Sequence, residues 1–233
     1  NLEKISTAVW NNFALTFDPY GNLFSVENDA DSQPPCRLLH IVEGGNYGFK
    51  FLHGRDGLSP LTSWFGEIPG TLPMISGTGE APTDVMHYEL DGFGPSIKST
   101  LLVAAWGDST IQSFNLKTKG ASFTSEPFSL IEGGRTFAPV STAIDSKGGI
   151  IITDWASLEY PVNGRGKIWR INPINEISSK PNKEFEKARK IWKSSNQNDN
   201  IESILMESLN DKNELIRAQS IKIFNEKKLK DEK

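Results

Sequence analysis

Residues 144–154 read IDSKGGIIITD, and residues 17–27 read FDPYGNLFSVE. At a constant offset of 127, Phe17 meets Ile144, Asp18 meets Asp145, Gly21 meets Gly148, Leu23 meets Ile150 and Glu27 meets Asp154. Each copy is an apolar strand, an Asp-x-x-Gly turn and a second apolar strand that ends on an acid. The turn is a hairpin signal: Asp bonds its own backbone two residues on, and Gly takes positive φ without Cβ strain. A further strand follows both copies, RLLHIV at 37–42 and GKIWRI at 166–171. A looser third copy is STLLVAAWGDSTIQSFNL at 99–116, its strands parted by Gly107, Asp108 and Ser109.

Antiparallel hairpins that recur at tens of residues suggest propeller blades of ~40–50 residues each. Blades pack face to face, so a strand apolar on both faces, as in GIIITDW and LLVAAW, fits them. Three blades are visible, and the reading leaves room for a fourth within residues 50–97. A closed ring needs at least about four. The expectation is therefore the C-terminal half of a propeller, with a β-sandwich as the competing architecture. Residues 44–97 otherwise look loop-like, with Trp64, Phe65 and Met74 suited to packing over the sheets.

Composition divides the chain near residue 180. Residues 1–179 hold all 20 Gly and a net charge of −7; residues 180–233 hold none and carry +3. The Gly-free, Lys/Glu-rich part reads as helices. Phe185, Ala188 and Trp192 form one helical stripe; Ile201, Ile204, Leu205 and Leu209 form a second, with Asp199 or Asn200 as N-cap. Ile216, Ser220, Ile223 and Phe224 form a third. The string LMESLNDKNELIRAQSIKIF resembles a HEAT repeat; a helical cap is the equal alternative, since solenoids need several repeats. The domains expected are a partial propeller over 1–179 and a helical, HEAT-like segment over 180–233.

The overall charge of −4 argues against a general nucleic-acid binder, and no apolar run is long enough to span a membrane. With Cys36 as the single cysteine, no intrachain disulfide and no thiolate cluster forms. The chain starts without an initiator Met or a signal-like stretch, which reads as a fragment or processed product.

The stretch LTFDPYGNLFSVENDADSQPPCRLLHIVEGGNYGFKF resembles the soluble quinoprotein glucose/sorbosone dehydrogenases. The strings CRLLHIVEGG, GTLPMISGTGEAP, LLVAAWGDSTI and GRGKIWRI are most similar to the planctomycete-type large dehydrogenase-like proteins, in which a propeller precedes HEAT repeats and often a c-type haem domain. The resemblance covers about residues 10–225. It implies a six-bladed propeller that uses pyrroloquinoline quinone (PQQ) and Ca²⁺, an extracytoplasmic or periplasmic location, a carbohydrate or polyol substrate, an upstream half of the propeller as partner, and a protein partner for the HEAT region.

Glu27, Asn28, Asp29, Ala30 and Asp31 bring several oxygen donors into five residues, a pattern that suits a hard cation or simply a capped loop. The resemblance implies Ca²⁺ at the carbonyls of Asp29 and Ala30, with Asn28 and Asp31 beside them. Arg37 stands where the family has a glutamate for a second calcium. For PQQ the resemblance points to Asn11, Asn12, Trp106 and Asp108. The family's lysine falls near Gly107 and Asp108, its arginine pair near Ala138 and Val140, and a further arginine near Trp10; none of these is cationic here, which leaves Arg135 as the substitute. The family's histidine base lies upstream, so the catalytic residues are unknown and this chain alone is expected to be silent. Glu27 and Asp154, with Asp108 as a third, are expected to converge on a central cavity, where Trp106 and Trp155 suit a sugar ring or merely fill interfaces. Three functions stay open: a PQQ/calcium-type sugar or alcohol dehydrogenase, a non-catalytic module that binds carbohydrate or protein, and a calcium-dependent hydrolase.

Overall fold

The structure is a computed structural model that describes residues 2–30, 34–49, 63–173, 182–197 and 201–231. It separates into two compact units, one of Asn1–Thr16 with Leu23–Ser178, the other of Phe17–Asn22 with Ser179–Lys233.

The two Asp-x-x-Gly turns are alike bond for bond. Asp18 Oδ1 accepts the backbone N–H groups of Tyr20 and Asn22, each at 2.9 Å; Asp145 Oδ1 accepts those of Lys147 and Gly149, each at 2.8 Å. In both turns the third residue on, Gly21 or Gly148, has φ of +83° or +74°. The local sequence thus closes both hairpins with bonds that reach no further than four residues.

The first sheet runs in the order β1 (Asn12–Phe17), β2 (Leu23–Glu27), β3 (Cys36–Ile41), β4 (Ser76–Thr78). The second contains β5 (Pro82–Tyr88), β6 (Thr100–Ala105), β7 (Thr110–Phe114) and β10 (Pro127–Glu132), in the order β10-β7-β6-β5. A small hairpin, β8 (Lys117–Lys119) and β9 (Ser122–Thr124), leaves it between β7 and β10. The third holds β11 (Pro139–Ile144), β12 (Ile150–Asp154) and β13 (Lys167–Ile171). From β2 onward the paired strands are antiparallel, with Leu23 opposite Ile41 and Ile150 opposite Ile171. No parallel, helix-crossed sheet occurs among the described residues before 173.

Residues 63–97 correct the loop-like expectation for 44–97. They supply β4 to the first sheet and β5 to the second, and form no sheet of their own. Pro82 can open β5 because that strand is the edge of its sheet, where a missing N–H costs no ladder bond. The expected packing of this stretch is partly met: Trp64 is buried and Met74 packs on Leu39, Ile41 and Tyr47, whereas Phe65 is exposed. Residues 50–62 lie outside the described residues.

β2 runs beside β5, and β11 beside β5 and β6. Tyr88, Leu102, Ala104 and Ile111 of the second sheet meet Ile150 and Ile152 of the third in one apolar cluster. The Tyr88 hydroxyl donates to Gly148 O at 2.8 Å, and Asp84 Oδ2 accepts Thr142 Oγ1 at 2.7 Å. Every residue of β6 is buried, as a strand covered on both faces requires.

In the second unit the helices are α1 (Lys183–Gln197), α2 (Ile201–Ser208) and α3 (Glu214–Asp231). Ala188, Ile191, Ile201, Leu205, Ile216 and Ile223 form its core, with Tyr20 and Trp192 packed against them. The Tyr20 ring meets Phe185 edge-on at 5.8 Å, and its oxygen accepts Asn213 Nδ2 at 3.0 Å. Asp211 pairs with Lys187, and Arg217 Nη1 donates to Asp211 O at 2.7 Å, so the polar turn between α2 and α3 is tied on both sides. The candidate N-caps Asp199 and Asn200 lie outside the described residues.

Candidate functional site

One backbone hydrogen bond recurs in all three large sheets. Just past the second strand of each, an N–H donates to the carbonyl that precedes the first strand: Asn28 N to Asn11 O at 3.1 Å, Trp106 N to Ala81 O at 3.0 Å, and Trp155 N to Ala138 O at 2.9 Å. The donors Asn28, Trp106 and Trp155 are therefore matching positions. Phe13, Thr83 and Val140, each the second residue of its first strand, match in the same way.

All six of these residues line one cavity of about 340 Å³, together with Ala81, Pro82 and Tyr160. The rings of Trp106 and Tyr160 lie stacked at 5.5 Å and 22°. Trp155 Nε1 donates to Glu159 O at 2.7 Å, and Asn163 Nδ2 donates to Trp155 O at 3.1 Å. These bonds fix the loop after β12 that carries Tyr160. The cavity thus offers broad aromatic planes with the Asn28 amide and the Thr83 and Tyr160 hydroxyls, a surface on which apolar ring faces stack while hydroxyl groups find partners.

No lining residue is an acid or a base, and every charged residue within two positions of one is an acid: Glu27, Asp29, Glu80, Asp84, Asp108, Asp154 and Glu159. Glu27, Asp84, Asp108 and Asp154 among them accept backbone N–H groups, Asp84 from Thr142 and Asp108 from Glu80. Glu27 is fully buried; it accepts Arg37 Nε at 2.8 Å and also Arg37 Nη2 and the Trp10 N–H. Burial pushes its carboxyl upward, and Arg37 and the Trp10 and Asn11 amides pull it back. Asp154 Oδ1 accepts Ala138 N at 2.8 Å and Ala156 N at 2.6 Å, and its Oδ2 accepts Trp169 Nε1 at 2.7 Å. Neither Glu27 nor Asp154 lines this cavity. Their shared task is to satisfy amides at the start of the adjoining strand. In the second sheet Ala105 takes this place, opposite Pro82 as Asp154 is opposite Pro139.

The remaining sequence candidates fall in separate places. Asn28 and Trp106 line the cavity. Asn11 contributes its carbonyl to the recurrent bond. Asn12 donates to Ser25 Oγ at 2.5 Å and borders a different cavity of about 350 Å³, which Ile5, Val9, Phe13 and Leu15 also line. Asp108 Oδ2 accepts Glu80 N at 2.9 Å. Arg135 is exposed in the turn before Phe137 and does not line the cavity. Ala30 is buried against Phe49 and Trp64, and Asp31 lies outside the described residues. Sequence reasoning did not single out Phe13, Thr83 or Tyr160, and reached Val140 only as a place where the resemblance puts an arginine; a signal for Phe13, Thr83 and Val140 is their shared place in the repeat.

Among the described residues, the group with metal-binding spacing is Asp29, Cys36 and Glu80, whose ligand atoms lie within 4.8 Å of one another. It shares only Asp29 with the loop expected to hold calcium. Asn28 Oδ1 accepts the Cys36 thiol at 3.2 Å. Burial pushes that thiol up to about 12, so it stays protonated at neutral pH. Burial, then Asp29 and Asp108, raise the Glu80 carboxyl. Ca²⁺ takes oxygen ligands, and a sulfur in the set does not suit it.

Solved structures share this fold. A glucose dehydrogenase-type oxidoreductase from Thermus thermophilus matches with a TM-score of 0.55 at 17% identity, over 72% of this chain and 46% of that one. The PQQ-bound aldose sugar dehydrogenase from Streptomyces coelicolor matches at 0.52 and 16%, over 72% and 45%. The soluble aldose sugar dehydrogenase from Escherichia coli, in its apo form, matches at 0.52 and 14%, over 72% and 46%. The chain therefore has a partial, propeller-like dehydrogenase fold and spans a little under half the length of these proteins. No protein-family model matches it, and no curated protein does.

Proposed function

We propose that this chain is part of a sugar-dehydrogenase-like propeller protein and that its aromatic cavity binds a carbohydrate or polyol ring. The observation that carries the reading is the meeting of three matching positions, Asn28, Trp106 and Trp155, at one cavity with Tyr160. Aromatic planes supply the stacking area, and Asn28 Nδ2, Trp106 Nε1 and the Tyr160 hydroxyl the polar partners that such a ring needs. Saturation-transfer NMR with glucose, sorbosone and mannitol tests it. Transfer to at least one of them, lost in Trp106→Ala, is expected; no transfer to any of them overturns it.

The finer proposals concern the whole protein. The exposed Phe13 and Leu15 of β1 support an upstream blade as their cover, and the tied Asp211 turn supports a HEAT-like role for the helices, with a protein partner. An extracytoplasmic location follows from the same resemblance. Oxidation of the sugar by a PQQ- and Ca²⁺-loaded parent is the second reading. The fold likeness to a PQQ-bound dehydrogenase favours it, and the uncharged lining of this cavity counts against it.

A further inference from the structure

We infer that the aromatic cavity accepts uncharged polyhydroxylated rings and excludes anionic ligands, PQQ included. The inference rests on the carbohydrate reading and adds the charge of what enters.

The donor set is the first reason. PQQ is a tricarboxylate, and taking a carboxylate out of water is strongly opposed unless a cation or several donors receive it. The lining offers no Lys, Arg or His. Of its polar groups, Asn28 Oδ1 is already an acceptor for the Cys36 thiol and Asp29 N, and the Thr83 hydroxyl faces the carbonyls of Ala104 and Pro139. Trp155 Nε1 is held by Glu159 O. The other polar atoms of the lining are Asn28 Nδ2, Trp106 Nε1 and the Tyr160 hydroxyl, single donors that suit sugar hydroxyls. With no cation among them, three carboxylates would lose their water without a counter-charge, so the residues present do not fit the quinone.

The field around the cavity is the second reason. Glu80 N–H bonds the Asp108 carboxylate, and the Asp29 and Glu80 carboxylates lie within 4.8 Å of each other beside Cys36. Asp29 adjoins Asn28, Glu80 adjoins Ala81, and Asp108 follows Trp106 by two residues, so three acids sit next to lining positions. Arg135 and Arg165, the cations nearest in sequence, each stand five residues from a lining position and do not line the cavity, and Arg37 is buried against Glu27 and the carbonyls of Tyr47 and Trp64. A concave site bordered by one sign of charge repels ligands of that sign. The aromatic planes do not depend on charge, so a neutral ring keeps its stacking.

The test compares two ligands that share a ring. Residues 1–233 are titrated by calorimetry with methyl glucoside, with glucuronate and with PQQ, the last with and without Ca²⁺. Methyl glucoside is expected to bind, at least tenfold weaker in Trp106→Ala. Glucuronate and PQQ are expected to bind at least tenfold more weakly than methyl glucoside. That gap should narrow in 0.5 M salt, which screens the acids, and close in Val140→Arg, which puts a cation on the lining. If PQQ or glucuronate binds as tightly as the glucoside and loses that affinity in Trp106→Ala, the inference is overturned while the carbohydrate reading stands. If the anions bind and the glucoside does not, both fall. If no ring binds, the carbohydrate reading falls and takes the inference with it.

Discussion

The Glu27 carboxylate and the Arg37 guanidinium sit opposite each other on β2 and β3, and neither exposes any side-chain surface. Arg37 also lies over the Trp64 ring at 3.6 Å and donates to Tyr47 O at 2.9 Å and Trp64 O at 2.8 Å. One residue thus fastens the segments around 47 and 64 to the first sheet. Removing one partner leaves a buried charge unpaired, which costs about 3–5 kcal/mol. Arg37→Met is expected to lower stability by that amount in urea melts. Glu27→Gln with Arg37→Met should recover only part of it, because the two carbonyls stay unpaired. A double variant no more stable than Arg37→Met would mean that the charge pair is not the source of the loss.

Asp154→Ala should be nearly as damaging without any ion pair being involved. It strips the acceptor from the Ala138 and Ala156 amides and from the Trp169 indole. Each buried donor left without a partner costs about 1–3 kcal/mol. Thermal melts should rank Asp154→Ala well below Asp154→Asn, which keeps one acceptor oxygen. Equal melting points for the two would show that the amides do not rely on it.

The pair Lys187–Asp211 gives a pH signature. The hydrogen bond from Lys187, then the Asn213 amide, hold the Asp211 carboxyl below its ordinary range. A depressed folded-state pKa contributes stability above the unfolded value of about 4, and that contribution is lost as pH falls through the folded value. Lys187 is raised by the same bond, so its share is present below the unfolded value of about 10.4 and lost as pH climbs through the folded one. With Lys187 37% exposed, the effect is about 1 kcal/mol or less. Helical ellipticity near 222 nm should therefore decline earlier on acidification in the wild-type chain than in Asp211→Asn, measured against each protein's own neutral value.

Gly48 and Gly44 separate strain from collision. Both have φ near +80°, at +82° and +75°. A Cβ on Gly48 would lie 1.8 Å from Ser63 O, while one on Gly44 meets nothing within 4 Å. Gly44→Ala should cost only the backbone strain, about 1–2 kcal/mol. Gly48→Ala adds the displacement of the 63–64 backbone and should exceed about 4 kcal/mol, an uncommon loss for one methyl group. Comparable denaturation midpoints for the two would refute the assigned contact.

Residues 1–233 supplied with PQQ and Ca²⁺ should reduce no dye with glucose, sorbosone or simple alcohols. A general base typically contributes about 10²–10⁴-fold, and the resemblance to the quinoprotein sugar dehydrogenases implies a histidine base to which His40, His53 and His87 do not correspond. Substrate-dependent reduction above a heat-killed control would contradict this.

The hairpins were legible because their information is local: an aspartate, a glycine and two apolar runs close each one without outside help. The sheet membership of residues 76–88 was not legible. Ser76 pairs with Leu38 and Met86 with Leu102, and such pairings depend on chain that is distant in sequence. Asn28 and Trp106 were named for a calcium ion and a quinone and meet here at an aromatic cavity, while Tyr160 hangs on a loop whose course Trp155, Ser157 and Asn163 help to set. Glu27 and Asp154 were recognised as equivalent, yet their partners were missed, because a sequence does not display which backbone amides lack an acceptor.

The bond from Asn28, Trp106 and Trp155 back to the preceding strand uses backbone atoms alone. The side chain at each of these positions is therefore uncoupled from the attachment that presents it. Three codons, one per sheet, can be randomised together while the strand ladders stay as they are, with the loss of the Trp155–Glu159 and Asn28–Cys36 side-chain bonds. Altered ligand preference is then reachable by combination rather than by remodelling, which makes this mouth a practical starting point for selecting new small-molecule binders.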